Sequence, residues 1–260
     1  MKKIVLSSVA TIMLATSANA FLGIDAEVGG GMWNPSLSGH IKYGANRPTK
    51  TDFDDLGVDD SISGNSYIYA DFSHFVPLIP NVRVEQLSYE LKGDTTLTQS
   101  INFGTTSFNA GAAVSTNINI EQTDMIAYWG VPLISTATAG VLDLNFGLDI
   151  KNISGDITLS SQTAKFDETL PLLYLNARVD LPFFPLRLEA TTKTISYDGA
   201  SISDNEAKAS FALPIPIPLL TISADIGYRS QNITIPDSLV KNLDAKIETS
   251  GIFFGINARF

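Results

Sequence analysis

The sequence predicts an all-β fold, a transmembrane antiparallel up-and-down β-barrel, and three observations support this prediction. Apolar and polar residues alternate over segments of nine or ten residues, as in 141–150. Short apolar turns that contain proline alternate with long polar stretches, and a typical secretory signal begins the chain. Strands of outer-membrane barrels need about 9–11 residues to cross the hydrocarbon, and short and long connections alternate between them.

The first element is a predicted secretory signal peptide at residues 1–20, which leaves residues 21–260 as a single barrel domain. Lys2 and Lys3 give a basic start, and an apolar run follows. Ala18 and Ala20 supply the small residues of a cleavage site. The signal implies export through the inner membrane, and we expect the mature protein in the outer membrane of a Gram-negative cell envelope.

The composition excludes several classes of function. A formal net charge of −10 argues against nucleic acid as a partner. The chain has no cysteine and only two histidines, which argues against disulfides and a zinc site. Five aspartates within 52–60 fit a solvated acidic loop better than a calcium-binding loop. We therefore expect no metal and no cofactor.

Alternation is the main evidence for strands. In 141–150, 172–181, 219–228 and 252–260 one parity is apolar and the other is mostly polar, which predicts strands with one face of each kind. A soluble β-sandwich also alternates, but its strands usually run only about 5–6 residues. One uncharged window, 125–142, is long enough for a membrane helix, but two glycines and a proline interrupt it.

The turns allow the strands to be counted. Short apolar turns are predicted at 77–81, 130–135, 182–185 and 214–218, and long loops at 43–65, 95–111, 154–169, 196–207 and 230–246. The resulting ten strands lie near 22–43, 65–76, 82–95, 116–130, 140–153, 169–181, 186–197, 206–213, 219–230 and 247–260. Ten is even and places both termini on the periplasmic side, as in single-chain bacterial barrels. Barrels of eight or twelve strands are the alternatives.

Two strands change the parity of their apolar residues. Val82 and Val84 share one parity, whereas Leu87 takes the other, and a similar change separates Ile120 from Met125. A β-bulge inserts one extra residue and so exchanges the two faces of a strand. The sequence therefore predicts bulges near positions 86 and 122.

The last strand ends in an aromatic residue, with apolar residues at alternate positions before it. Such an end resembles the signal read by the bacterial barrel-assembly machinery, because an edge strand with an aromatic anchor can be bound by β-augmentation. The predicted assembly signal consists of Ile252, Phe254, Gly255, Ile256, Ala258 and Phe260. The expected partners are the assembly machinery and periplasmic chaperones during biogenesis, and the lipid of the outer membrane.

Four short motifs indicate a family. They are Gly29-Gly30-Gly31 before Trp33, Asp55-Leu56-Gly57, Pro80-Asn81 and the terminal Phe260. With the signal peptide, they resemble a family of proteobacterial outer-membrane β-barrel proteins marked by a double glycine near the mature N-terminus. The resemblance covers most of the mature chain and implies an outer-membrane barrel. The family is functionally uncharacterised, so the resemblance implies no activity and no catalytic residues.

Charged residues on the polar parity are predicted to face the lumen. They are Arg83, Glu85, Asp143, Arg178, Asp180, Arg187, Glu189, Asp225 and Arg229. Side chains just fill a barrel of eight strands, so ten strands should leave little free space. We therefore predict a monomeric, non-enzymatic barrel with a structural or surface-interaction role. A narrow diffusion pore for small solutes is the alternative.

An outer-membrane hydrolase is a second alternative. Such an enzyme needs a histidine beside acidic residues, or beside a serine, at the extracellular rim or the lipid-facing edge. His74 lies near a predicted periplasmic turn, and His40 has no identifiable acidic partner in the sequence. The sequence therefore predicts no catalytic residues.

Overall fold

The computed structural model describes residues 24–46, 48–59, 65–76 and 78–260, which form a closed antiparallel β-barrel of ten long strands. The strands are β1 (Ile24–Tyr43), β2 (Ser66–His74), β3 (Asn81–Thr96), β4 (Ala113–Gly130), β5 (Leu142–Leu159), β6 (Gln162–Asp180), β7 (Leu186–Tyr197), β8 (Ala200–Ala212), β9 (Thr221–Ile235) and β10 (Leu243–Arg259). Each pairs with its neighbours in sequence, and β10 pairs with β1. The predicted ten-stranded barrel is confirmed. The predicted signal peptide, residues 1–20, lies outside the described residues.

The described helical segments are short, a 3₁₀ turn at Asp54–Leu56 and α1 at Ile134–Ala137. Within the described ranges, no helix has the length and apolar character needed to cross a membrane.

The pairing register shows how strongly the strands tilt. Successive paired residues lead from Ala26 on β1 around all ten strands to Ser38, twelve residues further along β1. A shear of this size in a ten-stranded barrel corresponds to a strand tilt of about 40°. The register is therefore in the range of transmembrane barrels.

Two of the five predicted long loops are wrong. Residues 154–169 and 196–207 belong to strand hairpins whose tight turns lie at 160–161 and 198–199. Ser160 and Asp198 adopt positive φ angles of 51° and 49°, as tight turns require. These stretches are polar because the strands continue beyond the membrane into water. The change from apolar to polar residues therefore marks the membrane boundary and not the end of the strand.

The predicted bulges near positions 86 and 122 are also wrong. The pairing of β3 with β4 is unbroken from Asn81 with Tyr128 to Thr96 with Ala113. Arg83 and Leu87 both point into the barrel and are both buried. The strand faces are therefore constant, and the chemistry of the interior changes along the strand.

The barrel consists of two halves with opposite polarity. In the periplasmic half charged residues point inward and apolar residues outward, as Lys151 and Ile150 illustrate on β5. In the extracellular half of the same strand, Ile153 and Ile157 point inward and are buried, while Asn152 points outward. The periplasmic half is therefore suited to lipid, and the extracellular half is built like a water-soluble barrel.

Two connections close the extracellular end. The connection between β1 and β2 inserts Phe53 and Leu56 into the apolar interior, where both are buried. The connection between β3 and β4 forms a small hairpin, Ile101–Phe103 with Thr106–Phe108, and buries Ile101 and Phe103. The backbone N–H of Thr49 donates to the carbonyl oxygen of Asn102 at 2.9 Å, which joins the two connections.

The glycine motif lies at the junction of β1 with its two neighbours. A Cβ atom on Gly29 would lie 2.6 Å from the ring of Tyr69, and one on Gly31 would collide with the carbonyl oxygen of Phe254 on β10. Trp33 follows, and its indole N–H donates to the carbonyl oxygen of Gly251 at 3.2 Å. Absent side chains thus allow the close approach of strands at the closure of the barrel.

Candidate functional site

The centre of the barrel holds a layer of buried ion pairs, which we call the ionic layer. Its members come from six different strands and are Glu85, Asp124, Lys151, Lys193, Asp204 and Arg229. All six side chains are less than a tenth exposed, and each charged group has at least one partner of opposite charge. The layer therefore spans the lumen from one wall to the other.

The two lysines of the ionic layer share carboxylates. Lys151 Nζ lies 2.8 Å from Asp124 Oδ1 and 3.2 Å from Asp204 Oδ2. Lys193 also contacts Asp124, and its ammonium lies 3.5 Å from Glu85 Oε1. Removing buried charges from water is costly, and here mutual attraction and hydrogen bonds offset that cost.

Arg229 joins the other side of the layer. Its Nε and Nη2 atoms lie 2.9 Å and 2.6 Å from the two carboxylate oxygens of Asp204. Its Nη1 atom donates to Glu85 Oε1 at 2.6 Å. Paired hydrogen bonds between a guanidinium and a carboxylate fix both groups in one geometry. The centre of the lumen is therefore occupied by side chains that hold one another in place.

A second group of polar side chains lies on the periplasmic side of the ionic layer. The Tyr69 hydroxyl donates to Glu27 Oε1 at 2.6 Å, and the guanidinium of Arg83 lies 4.1 Å from the centre of the Tyr69 ring. The Tyr128 hydroxyl donates to Asp71 Oδ1 at 2.6 Å. These side chains also occupy the lumen on the periplasmic side of the ionic layer and make it narrower there.

The structure places the sequence-predicted lumen residues at two depths. Arg83, Glu85, Glu189, Asp225 and Arg229 are buried inside the barrel. The other four, Asp143, Arg178, Asp180 and Arg187, lie nearer the periplasmic mouth and keep some exposure. Arg187 joins Asp180 to Glu27 there, with nitrogen–oxygen distances of 2.8 Å and 3.0 Å.

Sequence reasoning missed most of the ionic layer. Lys193 and Lys151 were not among the predicted lumen residues, nor were Asp124 and Asp204. Asp204 lies in the stretch 196–207 that the sequence predicts as a loop, and Asp124 lies beyond the bulge predicted near position 122. Lys193 shares its parity with Arg187 and Glu189 on β7, so strict alternation on that strand was a signal that could have found it.

An open cavity of about 920 Å³ lies at the periplasmic mouth. Its polar lining includes Asp25, Asp143 and Arg178, and Tyr128 lies at its inner boundary. A smaller cavity of about 170 Å³ lies across the mouth near Arg187. The lumen thus has space at the periplasmic end, while the ionic layer and the apolar interior fill the part above it.

Neither histidine lies in the lumen centre. His40 is on the outward parity of the extracellular half and pairs in register with Asp52 and Lys246. His74 lies at the periplasmic end of β2 and lines the mouth cavity. Among the residues that the structure describes, no three histidine, aspartate or glutamate side chains are grouped to hold a metal ion.

The residues of the predicted assembly signal lie on and after β10. Ile252, Phe254 and Ile256 point outward and are about half exposed. Phe260 follows the strand, and its backbone N–H donates to the carbonyl oxygen of Ala26 at 2.8 Å. The last residue therefore takes part in closing the barrel.

Comparison with known proteins gave only structural likenesses. No protein-family model matches the sequence, and no curated protein matches it. The outer membrane protease OmpT of Escherichia coli is 10% identical, with a TM-score of 0.48 over 91% of this chain and 96% of OmpT. The translocator domain of the autotransporter NalP from Neisseria meningitidis is also 10% identical, with a TM-score of 0.38 over 100% and 98%.

A third structure is a FadL homologue from Pseudomonas aeruginosa, 11% identical, with a TM-score of 0.29 over 92% of this chain and 90% of that one. With such identities and TM-scores below 0.5, these likenesses assign no activity to this chain.

The outer surface of the periplasmic half gives the location. Large apolar side chains are exposed on adjacent strands around it, among them Val84, Leu148, Leu173, Ile226 and Phe254. A closed barrel pairs its strand backbones all the way round, which hydrocarbon requires of a spanning structure. The chain is an integral β-barrel of the Gram-negative outer membrane.

Proposed function

We propose that this protein is a non-conducting and non-enzymatic barrel with a structural or surface-interaction role. The observation that carries the proposal is closure of the lumen at two successive levels. The ionic layer crosses the lumen in the membrane half, and packed apolar side chains such as Ile118 and Ile157 fill the extracellular half.

The energetics support lasting closure. To open a path for solutes, the two lysines and Arg229 would have to break their contacts with carboxylates that lie within hydrogen-bonding distance. Losing one partner of a buried pair typically costs about 3–5 kcal/mol, because the other charge stays buried without compensation. Water would also have to enter an apolar interior that includes Leu56 and Phe103.

The extracellular half supports a role at the cell surface. The strands β5 and β6 continue to a tight turn at 160–161, well past Ile150, the last exposed apolar residue on the outward face of β5. A rigid polar wall of this kind offers a defined surface to other molecules. We propose that the mature domain, residues 21–260, is monomeric and that its partners are lipid and, during biogenesis, periplasmic chaperones and the barrel-assembly machinery.

We also propose membership of the proteobacterial family marked by the double glycine. A Cβ atom on Gly29 would meet Tyr69, and one on Gly31 would meet Phe254. This structural requirement for glycine in the motif supports the proposal. We propose no catalytic residue, cofactor or metal, and no nucleic-acid partner.

Conductance tests the proposal. The mature protein is reconstituted in planar lipid bilayers, after heat-modifiable gel migration has shown that it is folded. We expect no single-channel steps from the unmodified protein. We expect the same from a variant with Phe53→Ser and Leu56→Ser, because the ionic layer remains. Reproducible steps from the unmodified protein would overturn the proposal in favour of the narrow diffusion pore.

Enzymatic activity needs a separate experiment. Folded protein in detergent and in liposomes is incubated with peptide and phospholipid substrates, and the His40→Gln variant is the control. We expect no turnover by either protein. Turnover that His40→Gln abolishes would contradict the non-enzymatic part of the proposal and favour a hydrolase.

A further inference from the structure

The four periplasmic turns expose large apolar side chains, and we call these turns the apolar rim. The rim consists of residues 75–76, 78–80, 131–141, 181–185 and 213–220. Leu78 and Phe183 are 90% and 92% exposed, and Leu133 and Leu219 are also well exposed. Turns in bulk water rarely expose several large apolar side chains together, and such clusters mark an interaction surface.

The rim continues a lipid-facing belt whose height differs between strands. On β3 only Val82 and Val84 face outward before the polar Gln86, whereas the outward apolar residues run from Ile252 to Ala258 on β10 and from Leu142 to Ile150 on β5. On a strand tilted by about 40°, seven residues rise roughly 18 Å along the barrel axis and nine residues roughly 23 Å. The apolar band of outer-membrane barrels is about 25 Å tall, so strands such as β3 and β10 leave it incomplete.

The backbone of the fourth turn leaves few N–H groups unpaired, as a site without water requires. In the stretch 213–220 the three prolines have no N–H group to satisfy. Four of the five other residues donate within the turn or to its flank. Leu213 donates to Ile222, Ile215 to Leu213, Ile217 to Ile215 and Leu220 to Ile217, at 2.7–3.3 Å.

The third turn follows the same pattern. Pro182 and Pro185 lack N–H groups, the Leu181 N–H donates to Leu186 O at 3.0 Å, and the Phe184 N–H donates to Leu181 O at 3.3 Å. An unsatisfied backbone group in hydrocarbon costs several kcal/mol, so turns can enter lipid only when most of their donors are removed or paired.

We propose that the apolar rim is inserted among the acyl chains of the periplasmic leaflet, where it completes the lipid-facing surface below the strands. The occupant of the rim surface is therefore lipid. Two features lead to this assignment: the rim is continuous with the belt, and its prolines remove the donors that lipid cannot satisfy. This inference is independent of whether the lumen conducts.

Depth-dependent quenching tests the proposal directly. Because the chain has no cysteine, single variants Leu78→Cys and Phe183→Cys can carry one nitrobenzoxadiazole label each. Ile256→Cys is the matched control in the belt, and Ser161→Cys is the control in an exposed extracellular turn. Folded protein is placed in phosphatidylcholine liposomes with either nitroxide-labelled acyl chains or iodide in the water.

We expect labels at 78 and 183 to be quenched by the acyl-chain nitroxide and shielded from iodide, as at 256. The label at 161 should show the opposite response. Iodide quenching at 78 and 183 in folded protein would overturn the proposal and would make the rim a surface for a periplasmic protein.

A second measurement avoids substitutions in the rim. The chain has two tryptophans, and the indole N–H of Trp129 donates to the carbonyl oxygen of Leu78 at 3.3 Å. In a Trp33→Phe variant, fluorescence reports on Trp129 alone. We expect quenching by acyl-chain nitroxide and little by iodide, and the reverse result would contradict insertion of the first turn.

Discussion

Arg229 binds Asp204 through two hydrogen bonds, with Nε–Oδ1 and Nη2–Oδ2 distances of 2.9 Å and 2.6 Å. Asp204 also lies 3.2 Å from the ammonium of Lys151. Lys193 Nζ lies 3.5 Å from Asp204 Oδ2, so one carboxylate compensates charges from three separate strands inside the lumen.

We expect Asp204→Ala to lower the free energy of unfolding by about 3–5 kcal/mol, because Arg229, Lys151 and Lys193 lose a buried counter-charge. Urea unfolding in detergent micelles, followed by tryptophan fluorescence, measures the change. The control is Glu248→Ala, which removes an ion pair to Lys246 on the outer face. That pair is exposed and should contribute no more than about 1 kcal/mol. Equal losses in both variants would contradict the role of the ionic layer.

The extracellular closure makes a second prediction. Leu56 is fully buried in the apolar interior, so Leu56→Ala should lower the free energy of unfolding by about 2–5 kcal/mol. It should also speed protease cleavage within residues 44–59. Limited proteolysis of folded protein checks this, with Asp55→Ala as the exposed neighbour. Unchanged cleavage would show that Leu56 does not hold the connection in place.

The barrel closure makes a third prediction. A side chain on Gly31 meets the carbonyl oxygen of Phe254, so Gly31→Ala should force β1 away from β10. We expect a loss of at least about 1–3 kcal/mol, as for overpacked sites, and a smaller heat-modifiable fraction on gels. Gly130→Ala is the control, because the nearest atom to a Cβ there, apart from its chain neighbours, is Oδ1 of Asn145 at 3.6 Å. Two variants of equal stability would refute the argument.

The predicted assembly signal is tested by separating assembly from stability. Phe260→Ser should reduce the amount of barrel assembled in cells, while refolding of purified protein in detergent should change little. Phe211→Ser removes a half-exposed aromatic residue from β8 and serves as the control. If both variants assemble equally well in cells, the terminal aromatic residue is not a recognition signal.

The strand number was predictable because proline-bearing turns mark the periplasmic ends of the strands. The extracellular strand ends were not, because polar residues there continue in paired strands such as β5 and β6. The bulge predictions assumed that apolar residues always face lipid. On β3 they face lipid at Val84 and the barrel interior at Leu87. Strands whose outer face passes from lipid to water halfway along their length produce this pattern without any change in backbone geometry.

The opposite polarity of the two halves also protects the pairing register. A slip by one residue would turn Lys151 toward the acyl chains and Ile150 toward the ion pairs. The same slip would expose Ile153 and Ile157 to water, because successive side chains point to opposite faces. A misaligned strand is therefore destabilised in lipid and in water at once. This double penalty favours the correct register while the barrel inserts.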